Sequence, residues 1–173
     1  KTMKQFYIFF LVFSISLTSC AQEVETPTET STFYFIRHAE KDRTNMNDKN
    51  PKLKEEGLLR AAKWSLVLQH VKFDAVYSTD YNRTKQTAQP TAEKNGLELT
   101  IYNPSNIDGK AFLEANRGKK VLVVGHSNTT PAFVNAVLGE QKHQGMADNN
   151  NANLYIVTVS SSGEMSDVVL VVE

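Results

Sequence analysis

Three residues with side chains capable of catalysis follow short apolar stretches of this sequence. Arg37 and His38 come directly after residues 33–36, and His126 follows residues 121–124 and a glycine. Short runs of aromatic and β-branched residues predict buried strands. In open α/β sheets, ligands bind beyond the carboxyl ends of such strands. Because two of only four histidines stand at these positions, we expect Arg37, His38 and His126 to share one site.

A second arginine stands at the start of a predicted helix. Residues 73–78 predict a strand, and a helix is expected soon after it, with Thr79 or Asp80 as its N-cap. Arg83 then lies in the first turn, where a cation opposes the helix dipole. This position favours anion binding, because backbone N–H groups and a guanidinium can share one phosphate. The sequence therefore predicts a pocket for a dianionic group, built from two arginines and two histidines.

Strands and helices alternate along the chain, which predicts an α/β fold in one domain, with a mainly parallel central sheet flanked by helices on both faces. The last two strands are expected to form a hairpin at the sheet edge. The further strands are predicted at residues 97–102, 154–159 and 168–172. The helices are predicted at residues 55–70, from residue 82 with a kink or break at Pro90, at 108–116, and from 130 until Gly139.

The first predicted helix has four apolar residues at helical spacing, namely Leu58, Leu59, Ala62 and Leu66. This pattern predicts that they form the face packed against the core. Trp64 on the same helix is expected in the core or at its rim.

The N-terminal segment predicts export and a lipid anchor. Residues 1–19 combine a charged start with an apolar stretch too short to span a bilayer, which is typical of a signal peptide. The residues ending at Cys20 resemble the lipobox of bacterial lipoproteins, which implies a lipid on Cys20. Residues 20–31 read as a flexible tether, and residues 32–173 as the globular domain. We expect a lipoprotein on the periplasmic side of the envelope, anchored in the outer membrane.

The charge and cysteine content exclude some classes of protein. Without residues 1–19 the chain has 17 Lys and Arg against 19 Asp and Glu, a charge of −2. This balance does not suggest a nucleic-acid binder. Cys20 is the only cysteine, so an intrachain disulfide is excluded.

Three segments together resemble the histidine phosphatase superfamily, also called phosphoglycerate mutase-like. They are residues 35–38, 78–88 with Arg83, and 123–129. The resemblance implies that His38 accepts the phosphoryl group, while Arg37, Arg83 and His126 bind its oxygens. It implies no cofactor and no metal. The short domain is most similar to small bacterial phosphohistidine phosphatases, so a small phosphorylated substrate or phosphohistidine is expected.

The chain departs from the family where a general acid is expected. Ser127 follows His126, at the position where acid phosphatases and phytases of this superfamily have Asp. The candidate acids are Asp108, after the third predicted strand, and Glu40, after the nucleophile. Our hypothesis is that the enzyme depends on good leaving groups, or uses one of these weakly placed acids.

Two other kinds of site remain open from the sequence. The first is a metal site, which the two arginines disfavour because they bring positive charge next to a cation. The second is a phosphate- or phosphoprotein-binding module of the cell envelope that keeps the pocket but has lost turnover. The candidate metal ligands are His38, Glu40, Asp42, His70, His126 and His143.

Overall fold

The computed structural model describes residues 29–173, so the predicted signal peptide and Cys20 lie outside the described residues. Six strands and four helices alternate as predicted until the final pair of strands. The strands are β1 (Ser31–Arg37), β2 (Ala75–Thr79), β3 (Leu99–Tyr102), β4 (Lys120–Gly125), β5 (Asn153–Val159) and β6 (Met165–Val171). The helices are α1 (Glu55–Val67), α2 (Asn82–Lys94), α3 (Gly109–Ala115) and α4 (Thr129–Leu138).

The strands form one sheet in the order β3-β2-β4-β1-β5-β6. The first four of these positions are parallel, because β2 pairs in parallel with β3 and β4, and β1 pairs in parallel with β4. β5 is antiparallel to β1, and β6 is antiparallel to β5 at the edge of the sheet. The mainly parallel sheet and the edge hairpin are therefore confirmed.

Helices cover both faces of the sheet, as the alternation predicted. Alternate residues of β4 point to opposite faces, so Val121 and Val123 enter one core cluster and Leu122 and Val124 enter the other. The first cluster is completed by α3 and α4 through Phe112, Phe133, Val134 and Val137. The second is completed by α1 and α2 through Trp64, Leu68, Ala88 and Ala92.

The prediction of which face of α1 is buried is wrong. Leu58, Leu59 and Leu66 are 49%, 66% and 59% exposed, and Ala62 is exposed too. The helix instead buries the side that carries Gly57, where an added Cβ would collide with the carbonyl oxygen of Glu40. This close approach turns the leucine-rich side away from the core. Trp64 is 1% exposed and belongs to the core.

The predicted N-cap of α2 and the predicted break at Pro90 are also wrong. Its N-cap is Tyr81, which makes no side-chain capping bond, because the hydroxyl of Thr79 bonds instead to His126 and Thr84. The helix does not break at Pro90 but continues to Lys94. Ala88 and Ala92, on either side of Pro90, are buried, and the hydroxyl of Ser65 on α1 donates to the Pro90 carbonyl oxygen. Packing against α1 therefore holds this part of α2 in place despite the missing N–H.

Among residues 29–173, no helix is long and apolar enough to cross a membrane.

Candidate active site

The predicted site residues meet at the carboxyl edge of the sheet. β1 and β4 are neighbours, and Arg37 is in register with Gly125. The next residue of each strand is therefore a histidine, and the rings of His38 and His126 lie 5.4 Å apart between centroids. β2 flanks β4 on the other side and leads into α2, which brings Arg83 to the same edge. All four residues line one pocket of about 460 Å³.

His38 is held as a neutral imidazole whose Nε2 has no hydrogen-bond partner among the described residues. The side chain is buried, and its Nδ1 lies 2.7 Å from the carbonyl oxygen of Ala39. Because a carbonyl only accepts, Nδ1 carries the proton and Nε2 carries the lone pair. Burial, with added repulsion from Arg37 and the other cations, lowers the pKa of His38 to about 3. His38 is therefore unprotonated at neutral pH, the state that a nucleophile requires.

His126 lines the same pocket, and both of its ring nitrogens have polar neighbours. Its Nε2 lies 3.0 Å from Oγ1 of Thr79, and its Nδ1 lies 3.5 Å from Nη2 of Arg83. Tyr81 packs edge-on against the ring. Burial, followed by repulsion from Arg83, lowers the pKa of His126 to about 4. Both histidines of the site are therefore neutral at neutral pH.

The two arginines carry buried N–H groups that have no partner among the described residues. These groups are Nε of Arg37 and both Nε and Nη1 of Arg83. The guanidinium of Arg83 also lies over the ring of Tyr81, 4.4 Å from its centroid. A buried charged donor without a partner is costly, and a phosphate oxygen would satisfy it. The arrangement therefore fits an anion in the pocket.

A loop that the sequence reasoning missed holds Arg37 in place. Nη1 of Arg37 donates to the carbonyl oxygens of Ala147, Asp148 and Asn150 at 2.9, 3.0 and 3.0 Å. Nη2 donates to the Asp148 carboxylate, which also pairs with Arg43 at 2.7 Å. Nearby, the side-chain amide of Asn151 donates to the carbonyl oxygen of His38 at 2.7 Å.

The loop reaches the site because β5 runs antiparallel to β1. Ile36, near the end of β1, is in register with Leu154, near the start of β5. The residues before β5 therefore meet the carboxyl end of β1. The only sequence signal was the polar run from residue 148 to 153, which does not indicate which strand the loop approaches.

A larger groove of about 860 Å³ adjoins the pocket and shares Arg37, His38, Lys41 and Asp148 with it. Both acidic and basic side chains line the groove. If a phosphoryl group lay against His38, the remainder of the bound molecule would occupy this groove. The other charged residues lining the groove are Glu40, Asp42, Arg43 and Lys54.

The two candidate general acids occupy different places. Glu40 lines the groove, but its Oε1 accepts from Nε of Arg60 at 2.7 Å. Its Oε2 is buried without a partner among the described residues. Asp108 caps α3 by accepting from the backbone N–H of Ala111 at 3.0 Å, and it does not line the pocket or the groove.

The candidate metal ligands are dispersed. Among residues 29–173, no three His, Cys, Asp or Glu side chains cluster so that they could hold a metal ion. His70 is exposed, and His143 bonds to Asp167 at 2.8 Å, away from the pocket.

Comparison with known proteins gives one match to a family model and several solved structures of similar fold. Residues 33–103 match the model described as histidine phosphatase superfamily (branch 1). No curated protein matches the chain.

Several solved structures share the fold at low sequence identity. The protein histidine phosphatase SixA complexed with tungstate is 19% identical, with a TM-score of 0.63 over 81% of this chain and 96% of that one. A mycobacterial glucosyl-3-phosphoglycerate phosphatase is 15% identical, with a TM-score of 0.64 over 84% and 100%. A phosphoglycerate mutase from Bacillus anthracis is 17% identical, with a TM-score of 0.64 over 84% and 95%. The predicted fold class is therefore confirmed.

Proposed function

We propose that this chain is a member of the histidine phosphatase superfamily, which its family match and its fold support, and that it hydrolyses a phosphomonoester or a phosphoramidate through a phosphohistidine on His38. Arg37, Arg83 and His126 bind the phosphoryl oxygens. The structural neighbours include proteins described as phosphatases of protein histidine and of a phosphorylated sugar acid. A small phosphorylated substrate or phosphohistidine is therefore the substrate class that we infer.

The state of His38 is the observation that carries the proposal. Its Nδ1 is engaged by the Ala39 carbonyl, so the lone pair lies on Nε2, in a pocket that also contains buried, unpartnered N–H groups of Arg37 and Arg83. A neutral imidazole beside a site for an anion suits nucleophilic attack on phosphorus. The donors stabilise negative charge that spreads over the phosphoryl oxygens during transfer.

Two displacements at phosphorus complete the reaction. In the first, Nε2 of His38 forms a bond to phosphorus, and the bond to the leaving oxygen or nitrogen breaks. The leaving group keeps that electron pair and takes a proton from solvent, or from Glu40 or Asp108 if one of them is the acid. In the second, water forms a P–O bond, the N–P bond breaks, and its electron pair returns to Nε2 of His38. Inorganic phosphate keeps one proton of that water, and the other proton passes to solvent. Each step uses side chains of this chain without a metal ion.

The first test is turnover of p-nitrophenyl phosphate by a soluble version beginning near residue 29. We expect release of nitrophenol by the wild type and its loss in His38→Ala, with no effect of a chelator such as EDTA. His70→Ala is the matched control, because His70 is exposed on the loop after α1, and it should keep full activity. Loss of activity with EDTA would instead identify a metal enzyme.

The intermediate itself can be trapped and located. After rapid mixing with substrate and quenching without acid, mass spectrometry should find the phosphoryl group on His38. Stoichiometric label on His126 or on a serine would overturn the assignment. A wild type that binds inorganic phosphate but turns over none of a panel of phosphate esters, acyl phosphates and phosphohistidine would be a binding module and not an enzyme.

A further inference from the structure

His126 poses a problem of hydrogen-bond direction. A neutral imidazole has one N–H and one lone pair. Its Nε2 bonds to Thr79, while its Nδ1 lies beside Nη2 of Arg83 at the pocket. Without an anion, the guanidinium of Arg83 can only donate, so Nδ1 accepts and Nε2 carries the proton. An unprotonated phosphoryl oxygen at Nδ1 can only accept, so Nδ1 of a neutral His126 must then carry the proton and Nε2 must accept.

Two buried hydroxyl groups can serve both states. Thr79 and Thr84 are each 0% exposed, and their Oγ1 atoms lie 2.9 Å apart. Oγ1 of Thr84 also lies 2.9 Å from the carbonyl oxygens of Thr79 and Tyr81. A hydroxyl group can donate or accept by rotating about its C–O bond. The hydrogen bonds that link His126, Thr79 and Thr84 can therefore run in either of two directions.

In the first direction, Nε2–H of His126 donates to Thr79, Thr79 donates to Thr84, and Thr84 donates to the carbonyl of Tyr81 or Thr79. In the second direction, Thr79 donates to Nε2 of His126. Thr84 then donates to Thr79 or keeps its carbonyl partner. Only the second leaves the proton on Nδ1, facing the pocket.

We propose that Thr79, supported by Thr84, is a positioning residue that switches the tautomer of His126, from Nε2–H in the free protein to Nδ1–H when a phosphoryl group is bound. His126 then donates to a phosphoryl oxygen while it remains neutral. The proposal rests on the proposed function for its catalytic consequence, but not for the tautomer change itself.

The charges around the pocket explain why a hydroxyl group suits this position. Arg37 and Arg83 already supply two positive charges for a dianion. A carboxylate at position 79 would stabilise His126 as an imidazolium, whose ring centroid lies 5.4 Å from that of His38. An imidazolium so close would draw electron density away from the nucleophile. A threonine can orient the ring without adding charge, and the lowered pKa of His126 agrees with a neutral ring.

The tautomer can be read directly from ¹⁵N chemical shifts of the histidine side chains, with His126→Gln used to assign the His126 signals. In the wild type we expect the proton on Nε2 without ligand and on Nδ1 with saturating inorganic phosphate. Thr79→Ser keeps the hydroxyl and should show the same change. If His126 in the wild type keeps Nε2–H, or becomes doubly protonated, with phosphate bound, the proposal is wrong.

Turnover of p-nitrophenyl phosphate provides the second readout. Thr79→Val has nearly the same shape but no hydroxyl, so Nε2 has no donor in the bound state, and kcat/KM should fall about 10- to 100-fold. Thr79→Ser should stay within a few-fold of the wild type. Urea unfolding of both variants checks that they fold, and Thr84→Val, with a smaller loss, replaces Thr79→Val if the latter does not. Wild-type kcat/KM in a folded Thr79→Val would overturn the proposal.

The proposed function and the proposed role of Thr79 can be disproved independently of each other. If the wild type hydrolyses no phosphate ester, the proposed function fails, and the ¹⁵N experiment with inorganic phosphate still decides the tautomer change. If the wild type is active but the tautomer does not change, only the role of Thr79 is wrong.

Discussion

At the scale of single residues, the site depends on which atoms are already bonded and which are not. Nδ1 of His38 is engaged, while Nε of Arg37 and two nitrogens of Arg83 are buried without partners among the described residues. These atoms distinguish the proposed nucleophile from the residues proposed to bind the phosphoryl oxygens more clearly than the residue types alone. The predictions for Arg83 and for the general acid belong at this scale.

Replacing Arg83 tests its proposed role in binding the phosphoryl oxygens. Arg83→Ala should lower kcat/KM about 10²- to 10³-fold, because it removes preorganised charged donors to the phosphoryl oxygens. Arg83→Lys should recover little, since an ammonium cannot reproduce two donors of a planar fork. Arg117→Ala is the matched control, because Arg117 is exposed at the end of α3. Near-normal kinetics of Arg83→Lys would place Arg83 outside the reaction.

The missing general acid predicts a strong dependence on the leaving group. Over a series of aryl and alkyl phosphates, kcat/KM should fall steeply as the pKa of the leaving alcohol rises, because general acid catalysis of about 10²- to 10⁴-fold is not fully available. If Glu40 or Asp108 is the donor, Glu40→Gln or Asp108→Asn should slow alkyl esters more than aryl esters. A flat dependence, with chemistry rate-limiting, would mean that a competent acid exists elsewhere.

At the scale of elements, the loop before β5 acts as a support for the site. It supplies three carbonyl oxygens to Arg37 and the amide of Asn151 to the carbonyl of His38. Neither the family resemblance nor the alternation of strands and helices indicated this role. The loop is brought there by the pairing of β5 with β1, a contact between residues far apart in sequence.

Asn151→Ala tests that support. It removes the donor to the buried carbonyl of His38, so the free energy of unfolding should fall by about 1–3 kcal/mol, and kcat should fall because His38 is held less firmly. Gln144→Ala is the control from the same loop, because Gln144 is exposed and lines neither the pocket nor the groove, and it should leave both quantities unchanged. Urea unfolding and p-nitrophenyl phosphate turnover measure them. If Asn151→Ala matched the wild type in both, the loop would not support His38.

At the scale of the whole molecule, the neutral histidines make folding stability depend on pH. The pKa of His38 is lowered to about 3 by burial, whereas an unfolded histidine has a pKa of about 6.5. Between these values the unfolded state binds more protons than the folded state. The contribution of His38 to the free energy of unfolding is therefore fully present above about pH 6.5 and is lost as the pH decreases toward 3. His126, with its pKa lowered to about 4, acts in the same direction.

Urea unfolding at pH 7.5 and pH 5 measures this effect. The wild type should lose more stability between these values than His38→Gln, and the difference attributable to His38 is about 2 kcal/mol. His70→Gln is the matched control for the loss of an exposed histidine. Equal pH dependence of the wild type and His38→Gln would show that His38 titrates alike in the folded and unfolded states.

The cellular location is a separate proposal that concerns the N-terminal segment with Cys20. We propose that Cys20 is lipidated and holds the domain on the periplasmic side of the envelope, in the outer membrane, a location that the lipobox resemblance supports. Cells given radioactive palmitate should label the wild type but not Cys20→Ala, and membrane fractionation should find the label in the outer membrane. Labelling of Cys20→Ala, or a wild type found only in the soluble fraction, would contradict this.

Several features were determined by the sequence itself. The apolar runs before Arg37 and His126 predicted buried strands, and the alternation of strands and helices predicted the fold class. These features are local, because a buried strand needs a continuous apolar run and ends where polar residues begin. Arg37, His38, Arg83 and His126 lie at one edge because β1, β4 and β2 are parallel neighbours and α2 begins after β2.

Other features were decided only by tertiary structure. The buried side of α1 is set by the close approach of Gly57 to the backbone of Glu40, which outweighs the more hydrophobic leucine side. The role of Thr79 as a partner of His126, in place of a helix cap, requires β2 to lie beside β4. Such contacts join residues distant in sequence, and the free energy of packing depends on shape at the contact, which neither periodicity nor residue type contains.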